Sequence, residues 1–135
     1  MNRLLLSCLV VSALLCAGCE NSGGKKAVSG TVTLKGVPLD KGTITFVLPE
    51  GQTPEASVAI ENGKFAIPAM SGLLPGKYRV KISAPEEFNI TPEEYAAGKT
   101  APPARERIPP QYNIASQEIV EVTADKPNVF DYKID

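Results

Sequence analysis

Gly63-Lys64-Phe65-Ala66-Ile67 and, a short bridge further on, Leu73-Leu74-Pro75-Gly76-Lys77-Tyr78-Arg79-Val80-Lys81-Ile82 decide the fold class. Phe65 and Ile67 alternate with Lys64 and Ala66, and Tyr78, Val80 and Ile82 alternate with Lys77, Arg79 and Lys81. A period of two with one apolar side is the pattern of a strand with one dry face and one wet face. Pro75-Gly76 is a turn signal ahead of the second run, because Pro presets φ and Gly tolerates positive φ. Asn62-Gly63 stands ahead of the first run. Both residues accept positive φ, so a strand over residues 56–60 is expected to fold back onto residues 64–67 as a tight hairpin.

Working outward, residues 27–34 place Val28, Gly30, Val32 and Leu34 on one face and Ser29, Thr31 and Thr33 on the other. Gly30 in the middle of that strand points to a bulge or a close backbone approach. Residues 43–48 read as a strand with Ile44, Phe46 and Leu48 inward, and residues 49–54 as a loop broken by Pro49, Gly51 and Pro54. Beyond Ile82 the character changes. Residues 84–116 carry six prolines, at 85, 92, 102, 103, 109 and 110, and inside them Thr91-Pro92-Glu93-Glu94 has the punctuation of a capped helical turn ended by Gly98. Residues 117–122 and 129–134 return to strand, with Phe130, Tyr132 and Ile134 sharing a face. Seven short strands predict an all-β fold, a single seven-stranded antiparallel β-sandwich with a Pro-rich insertion over 84–116. Lys77, Arg79 and Lys81 make a cationic stripe, expected to face solvent or to guard an edge strand.

At 135 residues the chain has room for one domain, and 43% hydrophobic residues suffice for a core. A formal net charge of −1, with no Lys/Arg cluster on one face, gives no ground for a nucleic-acid partner. There is no histidine, which excludes Ser/His and Cys/His nucleophile pairs and histidine-bound zinc. Cys8, Cys16 and Cys19 all lie near the amino terminus, so a domain over 27–135 has neither a thiol nor a disulfide.

Arg3 is followed by a nearly unbroken apolar run over residues 4–17, with the form of a secretory signal and too short for a comfortable membrane span. It ends Leu15-Cys16-Ala17-Gly18-Cys19, which resembles the bacterial lipobox, although Cys16 stands where that motif usually has leucine. The resemblance implies a lipoprotein signal peptide over 1–18, cleavage before Cys19, lipidation of Cys19, a flexible tether over 19–26 and the domain over 27–135. The competing reading is a plain secretory signal cut near Ala17 or Gly18, with Cys19 left as a free thiol. Lys25 and Lys26 could touch anionic head groups but read first as a solvated linker.

Val28-Ser29-Gly30-Thr31-Val32 leading to Gly36-Val37-Pro38-Leu39, and later Pro75-Gly76-Lys77-Tyr78-Arg79-Val80, resemble the carboxypeptidase-regulatory-like, transthyretin-related sandwich. Ile108-Pro109-Pro110-Gln111-Tyr112-Asn113 ahead of the last two strands is similar to small planctomycete lipoproteins built on one such domain. A transthyretin-related hydrolase would need histidines and a closing Tyr-Arg-Gly-Ser, whereas this chain closes Asp131-Tyr132-Lys133-Ile134-Asp135.

The functional expectation is a non-catalytic cell-envelope lipoprotein with a structural or weak binding role. The alternative is a carbohydrate- or protein-binding module using the 84–116 surface, with Phe88, Tyr95 and Tyr112 as candidate binding rings. The preferred reading of Phe88 and Tyr112 is that they pin the insertion to the body, since apolar side chains in loops usually pack. Glu86-Glu87 and Glu93-Glu94 are the carboxylate pairs that glycoside cleavage or calcium would need, with Asp40 and Glu50 as further oxygen donors. No Asp-x-Asp-x-Asp-Gly spacing accompanies them, and they read as solvated loop faces. The expected partners are a membrane, through the lipid anchor, and an envelope polysaccharide or protein. No metal or cofactor is expected.

Overall fold

Strand alternation turns into burial along most of the domain. In the computed structural model, which describes residues 22–135, the elements run β1 (Val28–Leu34), β2 (Val37–Pro38), β3 (Lys41–Val47), β4 (Pro54–Glu61), β5 (Lys64–Ile67), a 3-10 turn (Ala69–Ser71), β6 (Gly76–Ser83), β7 (Pro85–Glu86), α1 (Pro92–Ala96), β8 (Arg105–Glu106), a second 3-10 turn (Pro110–Tyr112), β9 (Ile119–Val122) and β10 (Asn128–Ile134). The signal peptide over 1–18 and the lipidation at Cys19 lie outside the described residues. Seven strands form one curled sheet in the order β10-β1-β5-β4-β3-β6-β9, with β2 a short flap on β1. The protein is all-β. Among the described residues no helix is long and apolar enough to cross a membrane.

The sheet is antiparallel except at one seam. β1 and β10 run parallel in register from Val28↔Asn128 to Leu34↔Ile134, which corrects the expectation of a wholly antiparallel arrangement. A parallel pair cannot be closed by a hairpin and needs a long crossover. Here everything between the two strands is that crossover. Alternation of side chains is the same in either direction, so it carried no warning.

The inward faces meet around three rings. Phe65 on β5 lies 6.3 Å from Phe46 on β3 and 6.4 Å from Tyr132 on β10, both in tilted geometry. Val32, Ile44, Ile60, Val80, Ile82, Val122 and Ile134 fill in around them. Gly30 is the close approach that its position suggested: a methyl there would collide with the Phe130 carbonyl and press on the Phe65 ring. The outward hydroxyls pair across the strands, Thr31 donating to Asp131 at 2.7 Å and Thr45 sharing a hydrogen bond with Ser57 at 3.0 Å.

The Asn-Gly turn forms, with φ of 51° at Asn62 and 75° at Gly63, but the long hairpin does not. β4 and β5 share only the pair Glu61↔Lys64. Beyond it β4 pairs with β3 and β5 with β1. The turn's backbone bonds to other segments instead: Gly63 N–H donates to the Leu39 carbonyl, Asn62 N–H to the Asp40 carbonyl, and Val32 N–H to the Gly63 carbonyl. Those bonds, with Leu39 buried beneath them, pull the two strands apart.

Two further expectations are corrected. Leu48 points outward, 46% exposed, and Val47 is buried in its place. The β3–β4 register shifts between Phe46 and Val47, and a one-residue irregularity reverses which side chain faces the core. β6 lies between β3 and β9, so the Lys77–Arg79–Lys81 stripe guards no edge. Arg79 is half-buried and donates from Nη2 to the Pro49 carbonyl at 2.6 Å, tying down the 48–53 loop.

The topology gives the body two distinct ends. Val28 pairs with both Asn128 and Ile67, and Gly76 pairs with Val122, so the chain enters β1 at the same end as the 68–75 bridge and the β9–β10 turn. Leu34↔Ile134 and Thr43↔Ser83 mark the opposite end, and the insertion departs from there at Ala84.

Phe65→Ala should cost roughly 3–5 kcal/mol in urea unfolding, as for a ring removed from a packed core; a loss under about 1 kcal/mol would mean that the ring is not core. The Tyr132 hydroxyl is buried without a hydrogen-bond partner, and burial, then the charge of Glu118, push its pKa up. Tyr132→Phe removes only that orphaned group, so stability should stay within about 0.5 kcal/mol of wild type or rise. A clear loss would reveal a partner for the hydroxyl.

Candidate functional site

Residues 84–116 divide into an outgoing limb that stands away from the body and a returning limb that is fastened to it. The fastening centres on Glu106. Its Oε1 accepts from the backbone N–H of Ala84 at 2.8 Å and of Ile108 at 2.9 Å, and its Oε2 accepts from the Ser83 hydroxyl at 2.6 Å. Ala84 and Ile108 are themselves buried, so one carboxylate closes both ends of the excursion. Partial burial by itself would raise the Glu106 pKa; the Ser83 hydroxyl and the neighbouring backbone N–H groups outweigh it and hold the carboxyl below the ordinary value of 4.5.

Arg107 adds a second clasp. Its guanidinium donates to Asp40 at 2.8 Å, to the Lys41 carbonyl at 2.9 Å and to the Ala84 carbonyl at 3.1 Å. The hydrogen bond from Arg107, and then the Lys41 N–H, keep the Asp40 carboxyl below its usual range. Further along, the buried Ser116 hydroxyl donates to the Val80 carbonyl at 2.5 Å and pins the limb back onto β6. β7 and β8 form a two-pair ribbon at the root of the outgoing limb. α1 carries the capping box that its sequence announced: Glu94 N–H donates to Thr91 Oγ1, and Thr91 N–H donates back to the Glu94 carboxylate.

This arrangement separates the candidate rings. Tyr112 sits in the second 3-10 turn and packs, half-buried, against the core. Phe88 and Tyr95 stay on the outgoing limb, 42% and 75% exposed. Tyr112 therefore pins the returning limb, whereas Phe88 does not share that task. The carboxylate pairs are divided in the same way. Glu94 is used by the cap and by Lys99 at 3.5 Å, and Asp40 is used by Arg107. Glu86, Glu87 and Glu93 face solvent. Among the described residues no three His, Cys, Asp or Glu side chains come together to hold a metal ion.

Two concavities bear on the site. A polar cleft of about 480 Å³ lies at the insertion end, bordered by Asp40, Thr43, Glu86, Glu87, Asn89 and Arg107. A shallower and more apolar groove of about 650 Å³ opens where β4 and β5 part, bordered by Thr31, Val58, Glu61, Lys64, Ala66 and Asp131. It follows from the abandoned hairpin, which no local reading of Asn62-Gly63 could foresee. Glu106, Arg107 and Ser116 also went unassigned in the sequence, since charged and hydroxyl residues in a Pro-rich stretch look like solvated loop until their partners at 40–41, 80 and 83–84 are in place.

No protein-family model matches the chain, and no curated protein matches it.

Glu106→Ala should cost roughly 1–3 kcal/mol at neutral pH, because it strands the N–H groups of buried Ala84 and Ile108. A carboxyl with a depressed folded pKa contributes stability above its unfolded pKa and loses it as pH falls through the folded one. The gap between variant and wild type in urea unfolding should therefore narrow in acid, below the ordinary Glu value of 4.5. Equal stability at neutral pH would contradict the fastening role.

Proposed function

We propose that the chain is a non-catalytic lipoprotein of the cell envelope, held to a membrane by acyl groups on Cys19, with a structural or weak binding role. Its body is read as one β-sandwich of the transthyretin-related, carboxypeptidase-regulatory-like kind. On that reading β10-β1-β5 is one layer and β4-β3-β6-β9 the other. The single pair Glu61↔Lys64 joining them at Asn62-Gly63 supports it, as does the meeting of rings from both groups at Phe65.

The observation that carries the reading is the separation of the two ends. Lys26 is bonded to Leu73 at the end where the chain enters β1, and the insertion leaves from the opposite end. A membrane anchor at Cys19 would therefore hold the insertion outward. The exposed Phe88 and Tyr95 rings make that outward limb the place to meet an envelope polysaccharide or protein, the second reading of the site. The interior is filled by apolar side chains chosen for volume. The weak net charge of −1 favours no nucleic-acid partner.

Cells expressing wild type and Cys19→Ser are grown with an alkyne palmitate analogue. Label on the wild type alone, with the variant moving from the membrane to the soluble fraction, is the expected result. Label on both proteins, or on neither, contradicts the anchor.

A further inference from the structure

The stretch read as a flexible tether is bonded to the body at its last residue, Lys26, after a turn of its own over Ser22–Lys25. Lys25 N–H donates to the Ser22 carbonyl at 3.0 Å, closing a turn through Gly23 and Gly24. Lys26 then exchanges two backbone hydrogen bonds with Leu73, at 2.7 and 3.1 Å. Gly24 lies against the Leu74 side chain, since a Cβ placed on it would come within 3.8 Å of Leu74 Cδ2. From Cys19 to Ser22 is three residue steps, a reach of at most about 10 Å. Acyl chains on Cys19 would thus enter a bilayer close beside this end of the body, with no long leash to hold it away.

This end carries two exposed large apolar side chains in the 68–75 bridge. Met70, on the 3-10 turn Ala69–Ser71, is 70% exposed, and Leu74 is 52% exposed. The segment between them is not loose: the Leu73 backbone bonds to Lys26, and the Leu74 carbonyl accepts from the Tyr78 hydroxyl at 2.9 Å. Lys26 pairs through its backbone with Leu73, next in sequence to Leu74, and Lys25 before it is exposed. Lys77 and Lys126 at the same end are offset by Glu121, Asp125 and, in the 48–53 loop, Glu50, so no strong positive field marks it.

We propose that Met70 and Leu74 form a docking surface for the membrane that holds the anchor, seating the body upright on the lipid with the insertion facing away. The proposal rests on the reading of Cys19 as acylated. A lipid chain alone leaves the orientation of its protein free; shallow insertion of a rigid apolar pair beside it adds a second point of contact and removes that freedom. Because the contact is apolar, it should persist as salt is raised, unlike one made by a basic cluster.

The chain contains no tryptophan, so Met70→Trp, Leu74→Trp and, at the far end, Tyr95→Trp each introduce a single reporter. Each full-length protein is placed in phosphatidylethanolamine–phosphatidylglycerol vesicles with and without brominated acyl chains. Intact mass and flotation with the vesicles establish whether Cys19 is acylated. In acylated protein, bromolipid should quench the reporter at 70 or 74 about twofold or more beyond the one at 95, in low and high salt alike. Equal quenching at all three positions in acylated, floating protein overturns the docking surface and leaves the anchor standing. Absence of acyl mass overturns both. A blue shift at 70 that follows protein concentration and not bromolipid makes a second copy the occupant, and overturns the proposal.

Discussion

The contact of Phe65 with Phe46 is the constraint on which the rest depends. β5 and β3 belong to stretches of the curled sheet that share almost no hydrogen bonds with each other, because β4 and β5 part immediately after Glu61↔Lys64. Backbone pairing therefore does not bring Phe65 to Phe46. Burial of apolar surface does, and each ring of this size buries enough area to dominate its neighbourhood. Several local features serve that contact. Gly30 is bare so that the Phe65 ring and the Phe130 backbone can come close, and Tyr132 completes the cluster even though its hydroxyl goes without a partner.

Closing the sheet on these rings also sets where everything else can be. With the inward positions filled, most polar groups in the interior are satisfied, the Tyr132 hydroxyl and Arg79 Nε being the exceptions among the described residues. Among the described residues Ser116 and Asn128 are the buried polar residues, and both are bonded to backbone: Ser116 to the Val80 carbonyl, Asn128 to both the N–H and the carbonyl of Thr123. The tether and the insertion join the body at its two ends. One receives the chain from Lys26, and the other sends out the insertion, which Glu106 and Arg107 fasten at its root. The rigid roots and exposed tips of that insertion are the usual arrangement of a loop carried by a stable scaffold.

What could be read from the sequence was what is local. Two-residue alternation located all seven strands of the sheet, since a half-buried strand must repeat with its pleat. Thr91-Pro92-Glu93-Glu94 announced its own cap because all its partners lie within one turn of helix. What could not be read depends on segments distant in sequence. The parallel seam pairs residues about a hundred positions apart. The hairpin at Asn62-Gly63 is undone by carbonyls at 39 and 40. Leu48 follows the alternation of its strand until a register shift reverses it, and that shift arises from pairing with β4. Glu106 and Arg107 are the functional counterpart of the same limit, because each bonds across 22 or more residues of chain.

A double-mutant cycle on Phe46→Leu and Phe65→Leu, read by urea unfolding, tests most directly whether the sheet is closed by its rings. The contact seen between them predicts a coupling of about 0.5–1.5 kcal/mol beyond the sum of the single losses. Additivity within about 0.3 kcal/mol would mean that the two parts of the sheet are held together by something else.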